Sequence, residues 1–123
     1  MSHFTRVRTQ LRDLDTVRQA LTNLGYNVRS GEVRGYGRER ATADVVVEVS
    51  SGYDIGFRHD GKVVSLVGDF WGLKVKPDEF IAKVTQQYAY VTVMNQATEQ
   101  GWQVVGEDKQ PDGSIKLVVE RWR

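Results

Sequence analysis

Residues 51–72 read SGYDIGFRHDGKVVSLVGDFWG, and this stretch decides the fold. Ser51-Gly52 is a turn signal. Tyr53, Ile55 and Phe57 then point to one side of an extended chain, with Asp54, Gly56 and Arg58 on the other. Asp60-Gly61 reads as a tight hairpin turn in which both positions take positive φ. Val63–Val67 returns as the partner strand. Upstream, Val45, Val47 and Val49 alternate with Asp44, Val46 and Glu48, and residues 50–52 join that segment to the next. The three segments predict an antiparallel meander.

The flanking chain changes period. Residues 3–9 alternate loosely and predict a first strand. Leu11, Leu14, Val17, Leu21 and Leu24 fall on one helical face. Asp13 and Asp15 stand where a side-chain oxygen caps free backbone N–H groups, and Gly25 suits the left-handed residue that ends a helix. Between Arg29 and Thr42 the pattern weakens under Gly31, Gly35, Gly37 and a run of arginines. It predicts a strand near Val28–Val33 and then a mobile loop. Beyond Gly72, Pro77, Asp78 and Glu79 open a second helix. Its apolar stripe is Phe80, Ile81, Val84, Tyr88, Val91 and Met94, and Gly101 ends it. The β-branched run Val91-Thr92-Val93 lowers helix propensity and marks the place for a kink. A strand from Trp102, a turn at Pro111-Asp112-Gly113 and a strand through Ile115, Leu117 and Val119 complete the chain.

Strands outnumber helices and join mostly by hairpins. The predicted class is therefore α+β, an antiparallel sheet of about six to seven strands with two helices packed on one face. A chain of 123 residues is expected to form a single domain, 1–123.

Composition narrows the function classes by exclusion. There are no cysteines, which removes disulfides, thiolate metal sites and cysteine nucleophiles. No apolar run reaches the roughly 20 residues of a membrane span, and no secretory signal opens the chain. A cytoplasmic location is the expectation. The net charge of +1 selects no partner. The first 40 residues are nevertheless arginine-rich, with eight arginines against four acids.

The chemistry-bearing residues are sparse. The histidines, His3 and His59, have no metal-ligand spacing around them, so neither a metal nor another cofactor is expected. No serine sits in a nucleophile elbow. Asp54, Arg58 and Asp69 make an acid–base site only if they converge in a cleft. The segment 29–40, rich in glycine and arginine, lacks the order of a phosphate loop. Arg34, Tyr36, Arg38 and Arg40 still offer cations and a stacking ring to RNA or to a phosphate ligand. Phe70 and Trp71, held between Gly68 and Gly72, offer aromatic anchors for a protein partner, with Tyr53, Asp54 and Asp69 beside them. Trp122 is a further aromatic candidate.

The segments Met1-Ser2-His3-Phe4, Ala43-Asp44-Val45-Val46, Gly52-Tyr53-Asp54-Ile55-Gly56-Phe57, Asp69-Phe70-Trp71-Gly72 and Gln87-Tyr88-Ala89-Tyr90 carry a resemblance. The chain resembles the small protein family of cyanobacteria and red-algal plastids called hypothetical chloroplast reading frame thirty-five, a domain of unknown function. In that family the aromatic segment more often holds two tryptophans, and Phe70 stands here in place of the first. The resemblance implies a cyanobacterial cytosol or plastid stroma and a role near photosynthetic or redox machinery. It transfers no active site.

These readings lead to a non-enzymatic interaction or assembly factor that meets a protein partner through Phe70, Trp71, Tyr53, Asp54 and Asp69. The alternative is an RNA- or phosphate-binding module built on residues 29–40.

Overall fold

The structure, a computed structural model, describes residues 3–50 and 52–121. Seven strands and two helices follow in the order β1 (Thr5–Arg8), α1 (Leu14–Asn23), β2 (Val28–Arg34), β3 (Arg40–Ser50), β4 (Tyr53–His59), β5 (Val64–Gly68), α2 (Pro77–Glu99), β6 (Trp102–Lys109) and β7 (Ile115–Arg121). The α+β class holds. The strands divide between a five-stranded antiparallel sheet, ordered β1-β5-β4-β3-β2, and a separate two-stranded ribbon, β6-β7.

The meander β3-β4-β5 forms the centre of the large sheet, with β1 added at the edge of β5 and β2 at the edge of β3. Alternation sets its two faces. Val45 and Val47 from β3, Ile55 and Phe57 from β4, and Val64 and Leu66 from β5 are fully buried under the helices. Val17 and Leu21 of α1 and Phe80 and Val84 of α2 complete that core. Asp13 caps α1, accepting the Asp15 N–H at 3.3 Å. Gly25 follows at φ 95°, the conformation that lets the chain leave the helix. Leu11 precedes the helix, yet it is buried, because its carbonyl accepts the Val64 N–H at 2.8 Å and ties the connection to the sheet edge.

Three expectations change. The Asp60-Gly61 turn is not a two-residue hairpin with both positions at positive φ. Only Gly61 is left-handed, at 100°. The loop is longer because the Asp60 carboxylate accepts the N–H groups of Lys62 and Val63, both at 3.0 Å, and so stabilises a wider turn. The region after Val33 is not a long mobile loop. β3 already begins at Arg40, and Arg34 pairs with Arg40, so the segment closes as a hairpin. α2 is helical throughout, including Val91-Thr92-Val93, because Val91 is buried and packing outweighs the propensity of the run.

The ribbon lies against α2, with Tyr90 donating a hydrogen bond to the Glu107 carboxylate at 2.9 Å. Among the described residues, no helix is long and apolar enough to cross a membrane.

Candidate functional site

The site is built on the sheet face that the helices leave uncovered. Asp54 and Gly56 alternate with Ile55 and Phe57 along β4 and so point to that opposite face. Both are buried, because the β2–β3 hairpin folds across them. A slip in the β2–β3 register between Arg29 and Gly31, with Gly31 at φ 118°, lets the hairpin bend. β2 consequently touches β4 and β5, with which it does not pair. A Cβ on Gly56 would stand 2.5 Å from Val33 Cγ2 and 2.6 Å from Ala43 Cβ. A Cβ on Gly35 would meet Phe4 at 2.9 Å and Asp69 at 3.2 Å. These glycines are there because two layers of backbone approach too closely for a side chain.

Two aspartates hold the folded hairpin. The Asp54 carboxylate is fully buried. It accepts hydrogen bonds from the Arg34 N–H at 2.8 Å, Arg34 Nε at 2.9 Å, Arg34 Nη2 at 3.0 Å and Arg29 Nη2 at 2.9 Å. Arg34 also pairs with Glu48. Two residues further along, the Tyr36 N–H donates to Asp69 Oδ2 at 2.9 Å, and Asp69 Oδ1 accepts the Gly72 N–H at 3.2 Å. Asp69 is likewise fully buried.

Burial alone would raise the Asp54 pKa. The hydrogen bonds from Arg34 and the charges of Arg34 and Arg29 outweigh it and hold the carboxyl below its ordinary 3.8. The same contacts hold the Arg34 guanidinium charged, with its pKa raised. Because the folded value is depressed, the stabilisation is present above the unfolded pKa and is lost as pH falls through the folded one. The urea midpoint of the wild type should therefore fall between about pH 5 and pH 3 by more than that of Asp54→Asn. An equal fall in both proteins would assign the acid loss to other carboxylates.

The hairpin brings its tip against the segment after β5. Trp71 is 75% exposed and Tyr36 57% exposed. The His3 ring stacks on Trp71, with centroids 4.7 Å apart and planes at 28°. Tyr36 meets both edge-on, at 6.0 Å from His3 and 6.4 Å from Trp71. An aromatic platform of three rings thus stands at the surface, above the buried Asp69. β1 places His3 there, because Thr5 pairs with Gly68 and the chain N-terminal to it runs on beside residues 69–71.

The other sequence candidates are placed as follows. Phe70 is half-buried against the core. Tyr53 packs on the core and over Gly72, where a Cβ would come within 2.4 Å of its ring. Tyr53, Asp54 and Asp69 therefore make contacts inside the chain. Arg58 donates from its guanidinium to the Thr42 carbonyl, while Asp54 is engaged by Arg29 and Arg34, so Arg58, Asp54 and Asp69 do not converge on a common cleft. Arg40 donates to the carbonyls of Gly37 and Glu39. Arg38 is exposed at the hairpin tip. Trp122 lies outside the described residues.

Sequence reasoning missed His3 as a member of the platform and Arg29 and Glu48 as members of the ion-pair network. His3 is brought in by the pairing of β1 with β5 and Arg29 by that of β2 with β3, which no local pattern reveals, whereas Glu48 stands opposite Asp54 in the β3–β4 pairing.

The model of the family described as protein of unknown function (DUF1257) matches residues 20–118. The chain is similar to the protein described as "Uncharacterized protein ycf35" from Guillardia theta, at 37% identity over 127 aligned residues that cover 100% of this chain and 99% of the relative. Proteins of the same description from Pyropia yezoensis and Cyanophora paradoxa are 32% and 31% identical, and the alignments cover 98% and 99% of their lengths. No solved structure matches. These relatives agree with the resemblance carried by the Gly52–Phe57 and Asp69–Gly72 segments, and the chain belongs to the DUF1257 family.

Proposed function

We propose that this chain is a non-enzymatic binding module, an assembly or accessory factor that presents the Trp71–His3–Tyr36 platform to a protein partner. The exposure of Trp71 carries the reading. Its neighbours Phe70 and Gly72 pack inward, yet its own ring is held outward by His3. Covering such a ring removes on the order of 150 Å² of apolar surface from water, about 4 kcal/mol before the costs of association. Exposed aromatics on a pre-organised frame are the usual anchors of an interface. The cyanobacterial cytosol or the plastid stroma is the compartment that the family resemblance favours, and machinery of photosynthesis or redox chemistry is the company.

A second reading rests on the same place. Tyr36 and Arg38 stand exposed at the hairpin tip beside Trp71, which joins stacking rings to a cation in the way single-stranded nucleic acid requires. Arg34 contributes little to it, because Asp54 and Glu48 already hold its guanidinium.

Capture from cyanobacterial extract separates the two. A stoichiometric protein should survive high salt and nuclease and be lost on Trp71→Ala, with affinity reduced about 30-fold or more for a central anchor. Val105→Ser, on the exposed ribbon, should leave capture unchanged. Retention by Trp71→Ala would sink the protein-platform reading. Recovery of nucleic acid that is lost at high salt and on Arg38→Ala would put the second reading first.

A further inference from the structure

The platform stands over a group of side chains that it does not explain. One ring nitrogen of His3, one carboxylate oxygen of Glu39 and one of Asp69 lie within 4.8 Å of one another. They come from three places in the chain: the segment before β1, the β2–β3 turn and the end of β5. Two observations set this group apart from an ordinary polar cluster.

The first is the histidine. His3 Nδ1 is buried and has no hydrogen-bond partner, and among the described residues it is the only buried side-chain nitrogen or oxygen in that state. A buried polar atom left unpaired is costly, and coordination to an ion would remove that cost. The second is charge. Neither Glu39 nor Asp69 belongs to any ion pair among the described residues, although Asp54 beside them is held by two arginines. Among the described residues the Asp69 carboxylate receives the backbone N–H groups of Tyr36 and Gly72, and Glu39 Oε2 receives the His3 N–H at 3.0 Å. Two carboxylates this close repel each other when both are ionised.

We propose that His3, Glu39 and Asp69 form a binding site for a divalent transition-metal ion, with zinc the preferred member of the class. An imidazole nitrogen with two carboxylate oxygens suits zinc, manganese or ferrous iron, whereas calcium asks for six to eight oxygens. Ligand bonds of about 2.0–2.2 Å require the three groups to draw together by roughly an ångström from where they stand. Side-chain rotation of Glu39, at a hairpin tip, accommodates that. The surrounding contacts already orient the ligands: Trp71 stacks on the His3 ring, and two N–H groups fix the Asp69 carboxylate. The ion would join the N-terminal segment, the hairpin and the β5 end, and so tie down the rings above it. The site does not depend on what the platform binds.

The test uses the full-length chain without a histidine tag, stripped with a chelator, and Zn²⁺ as the probe in calorimetry. Co²⁺ is added separately to read the ligand field by visible absorption. One ion per chain is expected. His3→Ala and Glu39→Gln should each weaken binding at least tenfold and alter the Co²⁺ spectrum, whereas His59→Ala should change neither. Asp69→Asn is not used alone, because the same carboxylate holds Tyr36 and Gly72. Absence of Zn²⁺ uptake at 100-fold excess would overturn the site, as would binding that His3→Ala leaves intact or that His59→Ala removes.

Discussion

Replacing Asp54 by alanine is expected to lower the stability of the chain by about 3 kcal/mol, one of the largest single effects in the molecule. The carboxylate is fully buried and accepts four hydrogen bonds, three of them from Arg34 and one from Arg29. Its removal orphans the Arg34 N–H, strips the Arg29 guanidinium of its carboxylate and leaves Arg34 paired with Glu48 alone. The arginine side chains are 44% and 35% exposed, so water recovers part of their hydration, and the loss falls at the lower end of the range for a broken buried pair. Urea denaturation of Asp54→Ala, Arg34→Ala and the double variant measures the coupling between them. It should exceed about 1.5 kcal/mol, as charged, partly buried hydrogen bonds do. A loss below 1 kcal/mol for Asp54→Ala would mean that the hairpin is held by its backbone pairing with β3 and not by this carboxylate.

The second large effect concerns Gly56. By strand propensity alone, valine is better than glycine in the centre of β4. The structure reverses that expectation. The position of a Cβ is already occupied by Val33 and Ala43, at 2.5 and 2.6 Å. Neither can retreat easily, since Val33 is fully buried and both belong to the hairpin that covers the face. Gly56→Val should therefore destabilise by about 3 kcal/mol, the upper end of overpacking costs, and should loosen the hairpin. The smaller Gly56→Ala allows a cleaner test. Combined with Val33→Ala, which removes the nearer obstruction, it should cost at least 0.5 kcal/mol less than the sum of the single variants. Strict additivity would show that the hairpin does not rest on β4 in solution.

Both predictions concern the segments that carry the family resemblance, and both give those residues a structural role. Asp54, Gly56 and Asp69 receive the β2–β3 hairpin, and Gly72 receives the Tyr53 ring. What they position is the aromatic platform, whose exposed members, Trp71 and Tyr36, come from two segments that are far apart in the chain. The residues that present themselves to solvent and those that fix the arrangement are thus different sets.

Local pattern was enough for the elements. Alternation of Val45, Val47, Ile55 and Phe57 announces the meander and its buried face, because a strand's side chains alternate whatever surrounds it. The stripe from Phe80 to Val91 and the glycines at 25 and 101 announce the helices and their ends, because apolar spacing and left-handed backbone are properties of a few neighbouring residues. Segment 29–42 was illegible for the same reason. Its glycines and arginines form no repeating face, since the hairpin is shaped by contacts with residues 20 to 33 positions away in sequence. The separation of β6 and β7 into their own ribbon was equally invisible, because strand signals do not say which edge a strand joins. The sequence determined by itself which segments are helix and strand and which of their faces are apolar. Only the tertiary structure decided that the arginine-rich hairpin folds back over the sheet and that His3, Tyr36 and Trp71 meet there. Two buried aspartates have to find donors, and the nearest donors lie on another part of the chain.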